Sequence, residues 1–285
     1  MFKRVKIMLF SIAATIIGFS LLFGDWQVGT GLVFVIGIHE IGHLAMFKLL
    51  GVNVSLPLFL PFVGAIIMAP SIKNRYKEAL IGYGGPLFGT ILSMALYLLW
   101  LNTNSYLILK LCFFSTVLNL FNMMPVNPLD GGRVTQIIHP LFHFVGLYIA
   151  AFLFIIWQYP LMLLIIALGF KYLHLLPKQK LRAYLFLGGG IIFSGIQTPY
   201  TFISSMIVGW LAYKQFLIHR YVLQLIAAKD YEKLDKVVPP TAPPLPTAAT
   251  NTRINWLIVY TTTTVVLIYL LFKILPHTGT ILPTK

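Results

Sequence analysis

Cysteine is almost absent from this 285-residue chain: Cys112 is the only one and lies in an apolar run, which excludes a disulfide framework and a thiolate metal cluster. Acids are scarce as well, with 7 Asp plus Glu against 21 Lys plus Arg, and charged residues make up 10% of the sequence against 58% hydrophobic. A mean hydropathy of +0.86 is too high for a soluble globule of this length, so the composition implies a polytopic membrane protein. The formal charge of +14 sits mostly in short basic clusters between apolar runs. Such clusters mark cytoplasmic loops facing anionic lipid, and none builds a face broad enough to take nucleic acid as a partner.

What is present is a series of long apolar runs, and a membrane span takes about 20 such residues. Val5 to Phe23 is the first, with Lys3, Arg4 and Lys6 holding its amino end in the cytoplasm. No small-residue cleavage site precedes Gly24-Asp25, so this run is expected to be a retained helix and not a signal peptide. The turn Gly24-Asp25-Trp26 has no Lys or Arg and suits the outer face. Span two, Gln27 to Leu50, then runs inward. Val52 to Ala69 holds Pro57, Pro61 and Gly64 and reads as a membrane-inserted β-hairpin-like segment. Backbone of that kind survives at membrane depth only when buried in protein or lining a wet cavity. Lys73, Arg75 and Lys77 return the chain inside, span three covers Ala79 to Trp100, and span four ends near Met124.

Four further apolar runs follow, Gly146 to Trp157, Pro160 to Leu175, Ala183 to Gln197 and Tyr200 to Phe216. His219 to Val238 suggests a cytoplasmic helix, Pro239 to Pro246 a stiff polyproline linker, and Asn255 to Leu275 a final span. The expected fold is thus an all-α polytopic membrane protein with about 8–9 transmembrane segments.

Against this apolar background, His39-Glu40-Ile41-Gly42-His43 places three ionisable side chains within five positions of span two. Ionisable residues inside a span are costly and by default mark a functional site. On a helix, His39 and His43 share a face with roughly 5–6 Å between their Cβ atoms, so both imidazoles can reach one metal ion. HExxH on a helix is the zinc metalloprotease pattern, in which the histidines ligate zinc and the glutamate activates water. The plain alternative is buried polar side chains joining helices.

A third ligand is sought among the acids. Asp25, Glu78, Asp230, Glu232 and Asp235 fall in loops or at span ends, which leaves Glu40 and Asp130 at membrane depth. Asp130 lies in Asn127-Pro128-Leu129-Asp130-Gly131-Gly132, where span four breaks, and the topology brings that break to the same side as His39 and His43. His139 and His143, also four apart, compete as a second site or in place of Asp130, although an interfacial helix with its imidazoles at headgroups and water is the favoured reading of them. His174, His219 and His277 read as solvated surface. Gly85 and Gly89 make a GxxxG step for close helix packing.

Three motifs in order, HEIGH (His39 to His43), GGPLFG (Gly84 to Gly89) and FNMMPVNPLDGG (Phe121 to Gly132), resemble the site-2 proteases, polytopic zinc metalloproteases that cut membrane-embedded or membrane-proximal segments. The resemblance covers about Gln27 to Arg133. It implies a three-helix catalytic core, one Zn2+ per chain on His39, His43 and Asp130, Glu40 as catalytic acid/base, and Asn127 on the substrate backbone or developing oxyanion. It also implies single-span membrane proteins as substrates, the lipid bilayer as surroundings, an unidentified regulatory membrane partner, and a cell-membrane location with the active site toward the cytoplasm. The chain departs from the family pattern where Gly89 stands in place of the asparagine of Gly-Pro-x-x-Asn, so any task of that amide is lost or moved. Pro61-Phe62-Val63-Gly64 replaces a Pro-Phe-Gly-Gly type, and no stretch is long and polar enough for a PDZ or CBS module.

The organisation expected on this basis is an N-terminal helix in 1–26, a catalytic core in 27–133, additional spans in 134–219, a cytoplasmic helix and Pro-rich linker in 220–253, and a C-terminal span in 254–285. Two other functions fit the same residues: a transporter whose intramembrane His and Asp line a metal or proton path, and an inactive relative that holds clients.

Overall fold

The computed structural model describes residues 2–157 apart from 62–63, 71, 73 and 140, together with 165–166, 168–169, 224 and 249–278. The expected runs Ala183 to Gln197 and Tyr200 to Phe216, the helix at His219 to Val238, the linker at Pro239 to Pro246, and His174 and His219 lie outside the described residues, as does nearly all of Pro160 to Leu175. The chain divides into two compact units, Met1–Met123 with Asn255–Lys285, and Met124–Ile254.

In the first unit, α1 (Phe2–Phe23), α2 (Trp26–Leu49), α3 (Arg75–Thr103) and α4 (Tyr106–Asn122) follow in order, joined by the C-terminal helix α7 (Thr250–Ile274), which begins just before the unit's second segment. Among the described residues, α1, α2, α3 and α7 are long and apolar enough to cross a membrane. Their outer faces carry large apolar side chains such as Phe10, Leu21, Leu99 and Phe272, which only a lipid environment accepts at this density, so this is an integral membrane protein.

Each turn has a local cause. Asp25 caps α2 by accepting from the backbone N–H groups of Gln27 (2.9 Å) and Val28 (3.3 Å), and Lys110 of α4 stands 3.6 Å away. The Val28 hydrogen bond is the largest influence; joined by that of Gln27 and by Lys110, it outweighs the opposing desolvation and holds the Asp25 carboxyl below its ordinary value. Asn74 caps α3 in the same way through Tyr76 and Lys77. Asn104 ends α3 at φ 51°, a left-handed position that asparagine tolerates better than most residues.

Without a hydrophobic drive between helices in lipid, contact depends on close packing of small residues. Gly42 of α2 and Gly84 of α3 meet backbone to backbone: a Cβ on Gly42 would lie 2.1 Å from the Gly84 carbonyl oxygen, and one on Gly84 2.4 Å from that of Gly42. The α2–α3 crossing therefore uses this glycine pair, while the expected GxxxG glycines face other neighbours. The C-terminal helix packs on α3 and α4 through Leu96, Leu109, Cys112, Leu270 and Ile274, and Tyr83 and Thr263 hydrogen-bond at 2.8 Å.

Between α2 and α3, β1 (Leu58–Leu60) and β2 (Gly64–Ile66) pair antiparallel with Phe59 opposite Ala65. Phe59 is buried with Val33 and Ile36 of α2, and its backbone N–H donates to Ser11 Oγ of α1 at 3.1 Å. That bond ties the outer edge of β1 to α1.

In the second unit, a turn through residues 124–129 leads into α5 (Asp130–Ile138) and α6 (Leu141–Trp157). The turn is gripped closely from both sides: a Cβ on Gly132 would lie 2.4 Å from the Asn127 nitrogen, and one on Gly146 2.4 Å from the Pro125 oxygen. His143 locks the same turn. Its Nδ1 accepts from the Asn127 N–H at 3.4 Å, and its Nε2 donates to the Gly169 carbonyl at 3.0 Å.

Candidate metal centre

The HEIGH sequence forms an unbroken part of α2, which is why His39 and His43 stack one turn apart. His39, Glu40 and His43 are buried, at 4%, 9% and 7% exposure, while Ile41 between them is 49% exposed, so the polar residues share the inward face.

Hydrogen bonds fix both rings. His39 Nδ1 lies 2.8 Å from Asn119 Oδ1 on α4, and His43 Nδ1 lies 2.7 Å from the Ile81 carbonyl on α3. The Asn119 amide nitrogen donates to the Ser115 carbonyl at 2.7 Å, so its oxygen is the atom turned to His39. Both Nδ1 atoms thus face acceptors and carry protons, and in neutral rings both Nε2 atoms are left as lone-pair donors. Those two atoms stand 3.2 Å apart, with the ring planes at 79°. A hydrogen bond between them would require one ring to be a doubly protonated cation; a metal ion accepts both lone pairs at once. Gly85 opens the space beside them, because a Cβ there would lie 2.4 Å from His43 Nε2 and 2.6 Å from His39 Nε2. Converging lone pairs beside a cleft that a single methyl group would fill fit a metal ion such as zinc.

Asp130 is the first residue of α5, where a carboxylate suits the positive end of the helix dipole, and it is buried at 7% exposure. His39, His43 and Asp130 form a group able to hold a metal ion, each offering one ligand atom, with those atoms all within 4.8 Å of one another.

His139 and His143 belong to no such group among the described residues. The favoured reading of the pair as wet imidazoles on one interfacial helix is corrected for His143, which is buried with both ring nitrogens bonded. His139 is exposed and extended, at φ −164° and ψ 136°, ahead of α6. His277 is exposed and its ring lies against that of Trp100. Asn127 is 4% exposed and its side-chain Nδ2 has no hydrogen-bond partner among the described residues.

Reading the chain alone missed Asn119, the Ile81 carbonyl and the role of Gly85. The available signal for Asn119 was an isolated amide within the apolar run Val117-Leu118-Asn119-Leu120.

Residues 28–110 match the model of Peptidase family M50. A zinc metalloprotease of Methanocaldococcus jannaschii is 34% identical over 131 residues, covering 43% of this chain and 38% of that protein. This chain therefore spans well under half the length of that curated relative. The matched segment contains His39, Glu40 and His43 together with the glycines that frame them, and over this segment the chain is similar to Peptidase family M50, the site-2 protease family.

Proposed function

We propose that this protein is a zinc-dependent intramembrane endopeptidase that hydrolyses peptide bonds in or near the transmembrane segments of single-span membrane proteins. The observation that carries the reading is the pair of Nε2 lone pairs 3.2 Å apart, on rings whose Nδ1 protons are already committed, with Glu40 in the same buried turn. His39, His43 and Asp130 are the ligands in this reading. Zinc held there would supply Lewis acidity for activating water and polarising the scissile carbonyl.

Glu40 moves the proton: its carboxylate takes one from the attacking water and returns it to the leaving amine. Asn127 offers a buried amide N–H2, the kind of donor that a substrate carbonyl or its developing oxyanion needs. A helical substrate hides its carbonyls in its own hydrogen bonds and must unwind before attack. In this account the β1–β2 hairpin is inserted in the membrane and receives the unwound segment as an added strand. Since Ser11 occupies β1 at Phe59, the added strand pairs with β2 around Ala65.

The membrane is the cell membrane, with the amino terminus and the site toward the cytoplasm, as the basic residues at positions 3, 4 and 6 suggest. Comparison of membrane proteomes from cells carrying the wild type and Glu40→Gln tests the function. Fragments of single-span proteins should vanish in the variant; identical fragment sets would overturn the proposal.

A further inference from the structure

We propose that Asn119 is the positioning residue for His39, held against it from α4 in the space that Gly89 of α3 leaves open. The inference rests on the reading of His39 as a metal ligand.

A histidine that ligates through Nε2 must carry its proton on Nδ1, so something has to hold that proton and fix the plane of the ring. For His43 a main-chain carbonyl does this. For His39 the acceptor is a side chain, Asn119 Oδ1 at 2.8 Å, fully buried. The amide cannot flip cheaply. Its nitrogen is committed to the Ser115 carbonyl at 2.7 Å, and a flip would set N–H against N–H and oxygen against oxygen.

The amide occupies volume that belongs to α3. A Cβ on Gly89 would lie 2.0 Å from Asn119 Oδ1, 2.2 Å from Nδ2 and 2.3 Å from Cγ. The whole side-chain head therefore lies where a residue at 89 would begin. The surroundings are built for that approach: Ser93 Oγ donates to the Gly89 carbonyl at 2.9 Å and meets Ser115 Oγ at 2.8 Å, small polar groups that hold α3 and α4 close. Glycine at position 89 is thus what admits the asparagine of the opposite helix.

The test is zinc affinity of the purified full chain in detergent, by chelator competition, with the cobalt(II) absorption spectrum as a second readout of the ligand field. Asn119→Leu should weaken zinc binding by about 10-fold or more and change the cobalt spectrum. Asn119→Asp keeps the acceptor for His39 but sets an oxygen against the Ser115 carbonyl, and should restore both in part. Gly89→Asn alone should weaken binding because two amides compete for one space, and Gly89→Asn with Asn119→Ala should recover it. Wild-type affinity and an unchanged cobalt spectrum in Asn119→Leu would overturn the proposal, as would a double variant no better than Gly89→Asn. His39→Ala separates the two levels: retained zinc there removes the ligand assignment itself, whereas lost zinc there beside an unaffected Asn119→Leu removes only the positioning role.

Discussion

Two histidine pairs in this chain have the same spacing and opposite outcomes. His39 and His43 bring their Nε2 atoms to 3.2 Å, whereas His139 is exposed and His143 is buried between Asn127 and Gly169. Spacing of four becomes proximity only on a continuous helix. His39 and His43 lie within α2, but His139 precedes Pro140, which disfavours the helical region for the residue before it, and α6 begins only at Leu141. The second difference is which nitrogen is occupied. In the first pair both Nδ1 atoms face acceptors and the two Nε2 atoms turn toward each other; in His143 both nitrogens are used for holding backbone.

The largest expected effect of breaking this comparison is on metal content. His43→Ala or Asp130→Ala should reduce zinc from about one per chain toward none, while His139→Ala should leave it unchanged, measured by elemental analysis of the purified protein. Loss of zinc in His139→Ala would erase the contrast.

A smaller effect separates holding backbone from holding metal. His143→Leu leaves the Asn127 N–H and Gly169 carbonyl without their partner, which should cost about 1–3 kcal/mol for each buried group left unsatisfied. It should appear as a lower thermal midpoint in detergent. A midpoint equal to wild type would show that this ring holds nothing.

The hairpin supplies a third arm. Ala65→Pro removes a β2 backbone N–H on the side away from β1 and should reduce cleavage with zinc content intact, since proline is tolerated at a strand edge. Undiminished cleavage would take β2 out of substrate binding.

The smallest effect concerns the cap of α2. The Asp25 carboxyl is held below its ordinary value, so its contribution to stability is present above the pH at which the unfolded chain's carboxyl titrates and is lost as pH falls through the lower folded value. Asp25→Asn keeps a capping oxygen but loses the charge facing Lys110. The midpoint difference between the two proteins should therefore be small at neutral pH and close up in acid; a difference that widened in acid would reverse the sign of the argument.

Helices were legible where apolar runs and caps coincide. The run Gln27 to Leu50 became Trp26–Leu49 because Asp25 is a strong cap, and Ala79 to Trp100 became the longer Arg75–Thr103 because Asn74 starts it a turn earlier. The histidine pair was legible because periodicity alone sets its geometry. Asn119 was not, since nothing local relates an amide to a ring 80 residues away. The glycines show the same limit: their number along α3 marks close packing, but which neighbour each one admits depends on the tertiary contact. Gly84 meets Gly42, Gly85 meets the imidazoles and Gly89 meets Asn119.

The most direct measurement is cleavage of a single-span substrate by purified Glu40→Gln in proteoliposomes, with zinc quantified in the same sample. The account predicts zinc at the wild-type level and no product. Product at the wild-type rate from a zinc-loaded Glu40→Gln protein would contradict it.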